Sequence, residues 1–223
     1  MKAALVYTST TPELIELLEQ EVRRAVGDGA ELISYQDPSR LAEAREAGPV
    51  TPAAAARLMG MYCEAVSQGA DAILNVCSSV GEAADAFQAA ARYIGVPVVR
   101  IDEAMCREAA RLGRRVGVLA TLSTTLEPTK NTLRRVAREM GRPVELVDGL
   151  VDAFGADQDK FRALLIDAAR RIAAHVDVIV LAQGSMAYVE KDIEAAVGKP
   201  TLSSPRFGAA ALADALREKG CLR

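Results

Sequence analysis

Two stretches of this chain, ADAILNVCSSVGEA at residues 70–83 and VDVIVLAQGSMAYV at residues 176–189, decide its fold. Each has an Asp at its second position and runs through a short apolar, β-branched segment. A small polar loop follows, and then the start of a helix. That order is a buried parallel strand leading into a βα connection. Two further pairs of segments repeat at a similar distance. IGVPVV at 94–99 is echoed by VGKPTL at 197–202, and LVYTST at 5–10 by VLATLS at 118–123. The offsets are 106, 103 and 113 residues. A period of that length is too long for a solenoid and reads as a duplicated α/β half.

The rest of the chain fits the same alternation of β-branched runs and amphipathic stretches, the pattern of βαβ units. Strands are expected at 2–7, 31–34, 72–76 and 97–100, and again at 115–120, 144–147, 178–181 and 201–202. Helices are expected at 52–68, 81–93, 128–140, 159–174, 188–197 and 207–219, and from Pro12 onward behind a Thr11 N-cap. Pro128 is expected near the start of its helix. The last helix is expected to return and close the first half. The expected fold class is α/β, with two pseudo-symmetric parallel-sheet halves: residues 1–96 plus 204–223, and residues 97–203.

Composition narrows the function. The chain has 223 residues, half of them apolar, a net charge of −3, no Trp, five Tyr and four Phe. A slightly acidic chain with few aromatics offers neither the basic footprint nor the stacking platforms of a nucleic-acid binder. The Arg pairs at 114–115, 134–135 and 170–171 read as solvated helix flanks. MKAALVYTST lacks the long apolar region of a signal peptide. No apolar run approaches the length of about 18 residues that a membrane span needs. Neither a nucleic-acid nor a membrane partner is expected. Cys63, Cys77, Cys106 and Cys221 are far apart, and His175 is the only histidine. That spacing excludes a familiar zinc site and a disulfide framework, and free thiols suit the cytoplasm.

Four expected strand ends carry hydroxyl-rich loops: Thr8-Ser9-Thr10-Thr11, Cys77-Ser78-Ser79, Thr121-Leu122-Ser123-Thr124-Thr125 and Gln183-Gly184-Ser185. Ligands of open α/β sheets bind outside the carboxyl ends of the strands. If the halves face one another, the four loops meet at one cleft and could hold a carboxylate. Each hydroxyl taken singly is equally a helix or turn cap. Cys77 stands just before a helix, where the N-terminal dipole favours a thiolate. A capping box of Ser79 and Glu82 is expected there. A buried structural cysteine is the competing reading. Cys63 and Cys106 read as helix residues in the core or partly exposed. His175 suits a helix end, and Tyr188 and Lys191 follow the Gln183 loop by one or two helical turns. No Gly-rich phosphate loop occurs.

Four segments carry a family resemblance: NVCSS at 75–79, VGVLATLST at 116–124, VIVLAQGSMA at 178–187 and KPTLSSP at 199–205. Through them nearly the whole chain resembles the aspartate/glutamate racemase superfamily, with its hydantoin racemases, maleate isomerases and arylmalonate decarboxylases. The resemblance implies two α/β halves around an active site. It also implies proton transfer by two thiols on opposite faces of a small carboxylate or amino-acid-like substrate, no metal or organic cofactor, and a homodimer. Cys77 matches the first thiol. Gln183 occupies the position of the second, and an amide can neither take nor give that proton.

The sequence therefore leaves several functions open. The first is a cofactor-independent racemase-type enzyme using Cys77, with Tyr188 or Lys191 as candidates for the missing acid. The second is a single-cysteine decarboxylase, isomerase or hydrolase. The third is a non-catalytic small-anion binder. Catalytic expectations fall on Cys77 and Gln183. Substrate-binding expectations fall on Thr8, Ser9, Thr10, Ser78, Ser79, Thr121, Ser123, Thr124, Gly184 and Ser185.

Overall fold

A computed structural model describes residues 1–8, 10–37, 50–153 and 156–222. The described chain divides into two compact units, Met1–Ile101 with Pro205–Arg223, and Asp102–Ser204. Each is a four-stranded parallel sheet flanked by helices.

The first unit contains β1 (Lys2–Tyr7), α1 (Pro12–Val26), β2 (Glu31–Gln36), α2 (Pro52–Ser67), β3 (Ala72–Asn75), α3 (Gly81–Ile94) and β4 (Val98–Arg100). Its strand order is β2-β1-β3-β4, with β1 and β3 in the centre. Alternation along the strands sorts the core into two faces. Leu5, Ala72 and Leu74 face Leu18 and Val22 of α1. Ala4, Val6 and Ile73 face Leu58 and Tyr62 of α2 and Ala84 and Phe87 of α3. Thr11 and Thr51 cap α1 and α2, each followed by a proline in the first turn.

The second unit contains α4 (Glu103–Leu112), β5 (Arg115–Ala120), α5 (Ser123–Glu139), β6 (Glu145–Leu150), α6 (Gln158–Ile172), β7 (Val178–Leu181), α7 (Glu190–Val197) and β8 (Thr201–Ser203). Its order, β6-β5-β7-β8, repeats that of the first sheet. Leu119, Ile179 and Leu181 pack against Leu165, Ala169 and Ile172 of α6 and Ile193 of α7. A chain of ion pairs among Glu103, Arg107, Arg135 and Glu139 joins α4 to α5. The last helix, α8 (Ser204–Glu218), sends Ala209, Leu212 and Leu216 into the α1 face of the first sheet.

The Asp near the start of each deciding stretch has a structural task. Asp71 Oδ2 accepts from the Lys2 main-chain N–H at 2.8 Å, and Asp71 donates its own N–H to Lys2 at 2.7 Å. Asp177 does the same with Arg115, at 2.8 and 2.7 Å, and also pairs with the Arg115 guanidinium. Both aspartates thus tie the entry of an inner strand to the first residue or two of its neighbour.

Three expectations are corrected. α5 begins at Ser123, so Pro128 lies inside the helix rather than near its start. Leu126 and Thr125, buried in the first turn, hold the helix against the unit upstream of the proline. β6 extends to Leu150, past the expected end at 147, because main-chain pairing with β5 carries it over Asp148 and Gly149. Residues 184–189 form a 3₁₀ turn, so α7 begins at Glu190 rather than at the expected 188. Among the described residues, no helix is long and apolar enough to cross a membrane.

Candidate functional site

Sheet register places the candidate residues. β1 and β3 pair with Val6 opposite Asn75, and Val76 donates to the Val6 carbonyl. One step further along each chain brings Tyr7 level with Val76, and the next brings Thr8 level with Cys77. In the second unit Leu119 lies opposite Leu181, and Ala182 donates to Leu119. The same two steps bring Thr121 level with Gln183. Each unit therefore presents one pair of residues at the carboxyl edge of its two inner strands.

The two pairs are used differently. Gln183 reaches Thr121: its Oε1 accepts from the Thr121 main-chain N–H at 2.8 Å and lies 3.0 Å from the Thr121 hydroxyl. Its Nε2 donates to the same hydroxyl at 2.8 Å. The amide is thereby fixed with its oxygen on the main chain and one N–H left to point elsewhere. The shorter Cys77 side chain does not bridge to Thr8. Its sulfur lies 3.0 Å from the Ser79 hydroxyl. Thr8 is almost wholly buried, and among the described residues its hydroxyl has no hydrogen-bond partner. A buried unpaired hydroxyl is costly, and a ligand oxygen would relieve that cost.

Cys77 is half-buried and free, at the head of a 3₁₀ turn formed by Ser78–Val80. Helix α3 follows with Val80 as its cap residue and no side-chain cap bond. The expected Ser79–Glu82 capping box is therefore not formed. A 3₁₀ turn separates Cys77 from the helix, and the Ser79 hydroxyl is engaged with the Cys77 sulfur instead.

The remaining candidates divide as follows. Ser78 is buried in the turn beside Cys77, and Thr10 donates its hydroxyl to the Thr11 carbonyl at 3.2 Å. Ser9 lies outside the described residues. Ser123 and Thr124 open α5, and Gly184 and Ser185 open the 3₁₀ turn after Gln183. The structure thus joins Thr121 with Gln183, and Cys77 with Ser79, within their own units. Tyr188 stacks on Phe161 with ring centres 6.3 Å apart and carries the Arg162 guanidinium over its face. Cys63 is exposed on α2, and Cys106 is buried.

Sequence reasoning passed over the residues behind Cys77. Asn75, on the last position of β3, is buried, and its Nδ2 donates to the Cys77 carbonyl at 3.0 Å. Arg100, at the end of β4, is also buried and pairs with Asp85 at 2.7 Å. Its guanidinium occupies the space where a side chain on Gly81 would stand. An Asn inside the run AILNV was the available signal for the first. The second depends on a side chain returning from a different strand and has no local mark.

Comparisons with known proteins follow the same lines. The family profile described as Asp/Glu/Hydantoin racemase matches residues 4–212. A comparison with curated protein sequences finds no match. Among solved structures, allantoin racemase from Klebsiella pneumoniae is similar with a TM-score of 0.67 at 19% identity, over 100% of this chain and 89% of that one. A glutamate racemase from Bacillus anthracis gives 0.72 at 15% identity, over 99% and 83%. A mutant of arylmalonate decarboxylase in a sulfate-associated form gives 0.60 at 18% identity, over 99% and 94%. At these identities the likeness is one of fold.

Proposed function

Because the chain belongs to the Asp/Glu/hydantoin racemase family, we propose that it is a cofactor-independent enzyme of carbon acids in which Cys77 carries the proton. The substrate is a small acid or amino acid, and the reacting carbon lies next to its carboxylate or carbonyl group. The observation that carries this reading is the half-buried Cys77, its sulfur 3.0 Å from the Ser79 hydroxyl, at a strand end level with a buried Thr8 hydroxyl that has no partner among the described residues.

In the proposed step the Cys77 thiolate removes the α-proton. The bonding pair moves into the adjacent carbonyl or carboxylate, giving an enolate-type species. Reprotonation by the same thiol restores the carbon. The hydroxyls of Thr8, Ser9, Thr10, Ser78 and Ser79 are assigned to substrate oxygens, where hydrogen bonds strengthen as negative charge develops. Thr121, Ser123, Thr124, Gly184 and Ser185 are assigned the same task. Gln183 is assigned as a neutral donor. Its Oε1 is already engaged by Thr121, which leaves an amide N–H for an acceptor on the substrate. A thiol suits this work because its pKa lies closer to neutrality than that of an alcohol.

With an amide at the second position, one thiol serves one face of the carbon. The chemistry expected is therefore exchange with retention, or protonation after loss of carbon dioxide. Deuterium exchange from solvent into a panel of small carboxylic and amino acids tests this. Chiral analysis and carbon dioxide detection would run in parallel, with wild type and Cys77→Ala. Exchange with retention, or decarboxylation, abolished in the variant, is the expected result. Inversion by the wild type would show a second acid and overturn the one-thiol reading. If nothing reacts and Cys77 alkylates no faster than a free thiol, a non-catalytic anion binder replaces the enzyme.

A further inference from the structure

Behind the Cys77 loop runs a buried polar chain that the proton transfer itself does not use. Tyr62 lies wholly buried on α2, tilted against Phe87 with ring centres 5.1 Å apart. Its hydroxyl donates to Asn75 Oδ1 at 2.9 Å. Asn75 in turn donates through Nδ2 to the Cys77 carbonyl at 3.0 Å. The directions are forced. A carbonyl only accepts, so the amide nitrogen of Asn75 must face Cys77. The amide oxygen then faces Tyr62, which must donate. Burial pushes the Tyr62 hydroxyl far above the ordinary tyrosine range, so it remains a donor at any working pH.

The chain is placed where an apolar core would be simpler to build. Its neighbours on the same face are Val6, Leu58, Ile73, Val80, Ala84 and Phe87. Buried polar groups among such residues are tolerated only when every partner is satisfied. Here satisfaction requires one particular course of the main chain at Cys77, the residue where β3 gives way to the 3₁₀ turn. The main-chain groups of Asn75 are committed to the sheet, since its carbonyl accepts from Ile101 at 3.0 Å. Its side chain is what remains to act on the loop.

We propose that Tyr62 and Asn75 are positioning residues for Cys77, setting the direction of its main chain so that the sulfur stays beside the Ser79 hydroxyl and out of the apolar cluster. Tyr62 acts through Asn75, and Asn75 acts through the Cys77 carbonyl. Without this link the loop is free to turn, and the sulfur can bury itself against the residues it already borders. The inference rests on the reading of Cys77 as the reactive thiol.

The test measures Cys77 alkylation by iodoacetamide, followed by mass spectrometry on the full chain with Cys63 and Cys221 changed to Ser. Tyr62→Phe removes a single hydroxyl, and Asn75→Asp keeps the acceptor for Tyr62 while removing the donor to Cys77. Each is expected to slow alkylation about tenfold, the scale of one lost buried hydrogen bond. Ser79→Ala is expected to do the same. Tyr62→Phe added to Ser79→Ala is expected to change the rate by less than about twofold, because both act through one arrangement of the thiol. A purely structural tyrosine would lower the melting temperature and leave the alkylation rate of the folded protein unchanged. That result overturns the proposal, and so does a full Tyr62→Phe effect in the Ser79→Ala background. Loss of the enzymatic reading would appear separately, as α-carbon exchange that survives Cys77→Ala.

Discussion

Replacing Gly81 by alanine drives a methyl group into the guanidinium of Arg100. An ideal Cβ on Gly81 would stand 2.2 Å from Arg100 Nη2, 2.4 Å from Cζ and 2.8 Å from Nε. On an exposed arginine such an overlap would cost little, since the end of the side chain would swing aside. Arg100 has nowhere to go: its side chain is 1% exposed, and Nη1 is 2.7 Å from Asp85 Oδ2. Alanine would be favoured over glycine by up to about 1 kcal/mol in a helix interior, and by less at this first helical position. Against that stands an overpacking cost of about 1–3 kcal/mol. Displacing the guanidinium adds part of the roughly 3–5 kcal/mol seen when a buried pair is broken. Only part applies, because Asp85 retains 27% exposure and can be solvated. The net expectation is a loss of about 2 kcal/mol, read as a fall in melting temperature of about 4–8 °C for a chain of this size. Urea denaturation with thermal melting would measure it. The double variant Gly81→Ala with Arg100→Met supplies the control, since removal of the guanidinium should make the methyl group harmless. A Gly81→Ala protein as stable as wild type, or one whose loss is unchanged in the Arg100→Met background, would refute the reasoning.

Other expectations follow from the same geometry. The Arg115 guanidinium and the main-chain N–H groups of Arg115 and Arg114 hold the Asp177 carboxyl down from 3.8 to about 2. Its contribution to stability is therefore complete above pH 3.8 and disappears as pH falls through about 2. Asp177→Asn should flatten that acid limb in denaturation measured against pH, and an unchanged limb would count against the clamp. Thr121→Val keeps the main-chain bond to Gln183 but removes the hydroxyl that meets both ends of its amide. It should cost about 1 kcal/mol in urea unfolding, and a neutral result would mean the amide is not held there. Gln183→Cys returns a thiol to the position where the resemblance expects one. Chiral chromatography should then detect inversion that wild type lacks, and its absence would show that a second thiol alone does not complete the site.

The sequence announced those features that one strand or helix settles by itself. The apolar run at 178–181 matches β7 residue for residue, and Thr11-Pro12 starts α1 as its pattern requires. The misplaced features are settled by neighbours. A proline reads locally as a helix start, but α5 begins five residues earlier, where Thr125 and Leu126 find burial. The strand expected to end at 147 runs on to Leu150 because main-chain pairing with β5 carries β6 through Gly149, whose missing side chain leaves room for Leu119. The candidate site divides in the same way. Its loops were legible, since polar residues at the ends of apolar runs mark the carboxyl edge of a parallel sheet. The partnerships within those loops were not. Ser79 and Glu82 have the spacing of a capping box, but a sulfur two residues before Ser79 takes its hydroxyl instead. Thr121 and Gln183 are 62 residues apart and meet because β5 and β7 are in register. The same register brings Thr8 level with Cys77, where the shorter side chain leaves a buried hydroxyl with no partner among the described residues. A Cys in place of a Gln at equivalent edge positions thus changes both the reagent available and the hydroxyl left for a ligand.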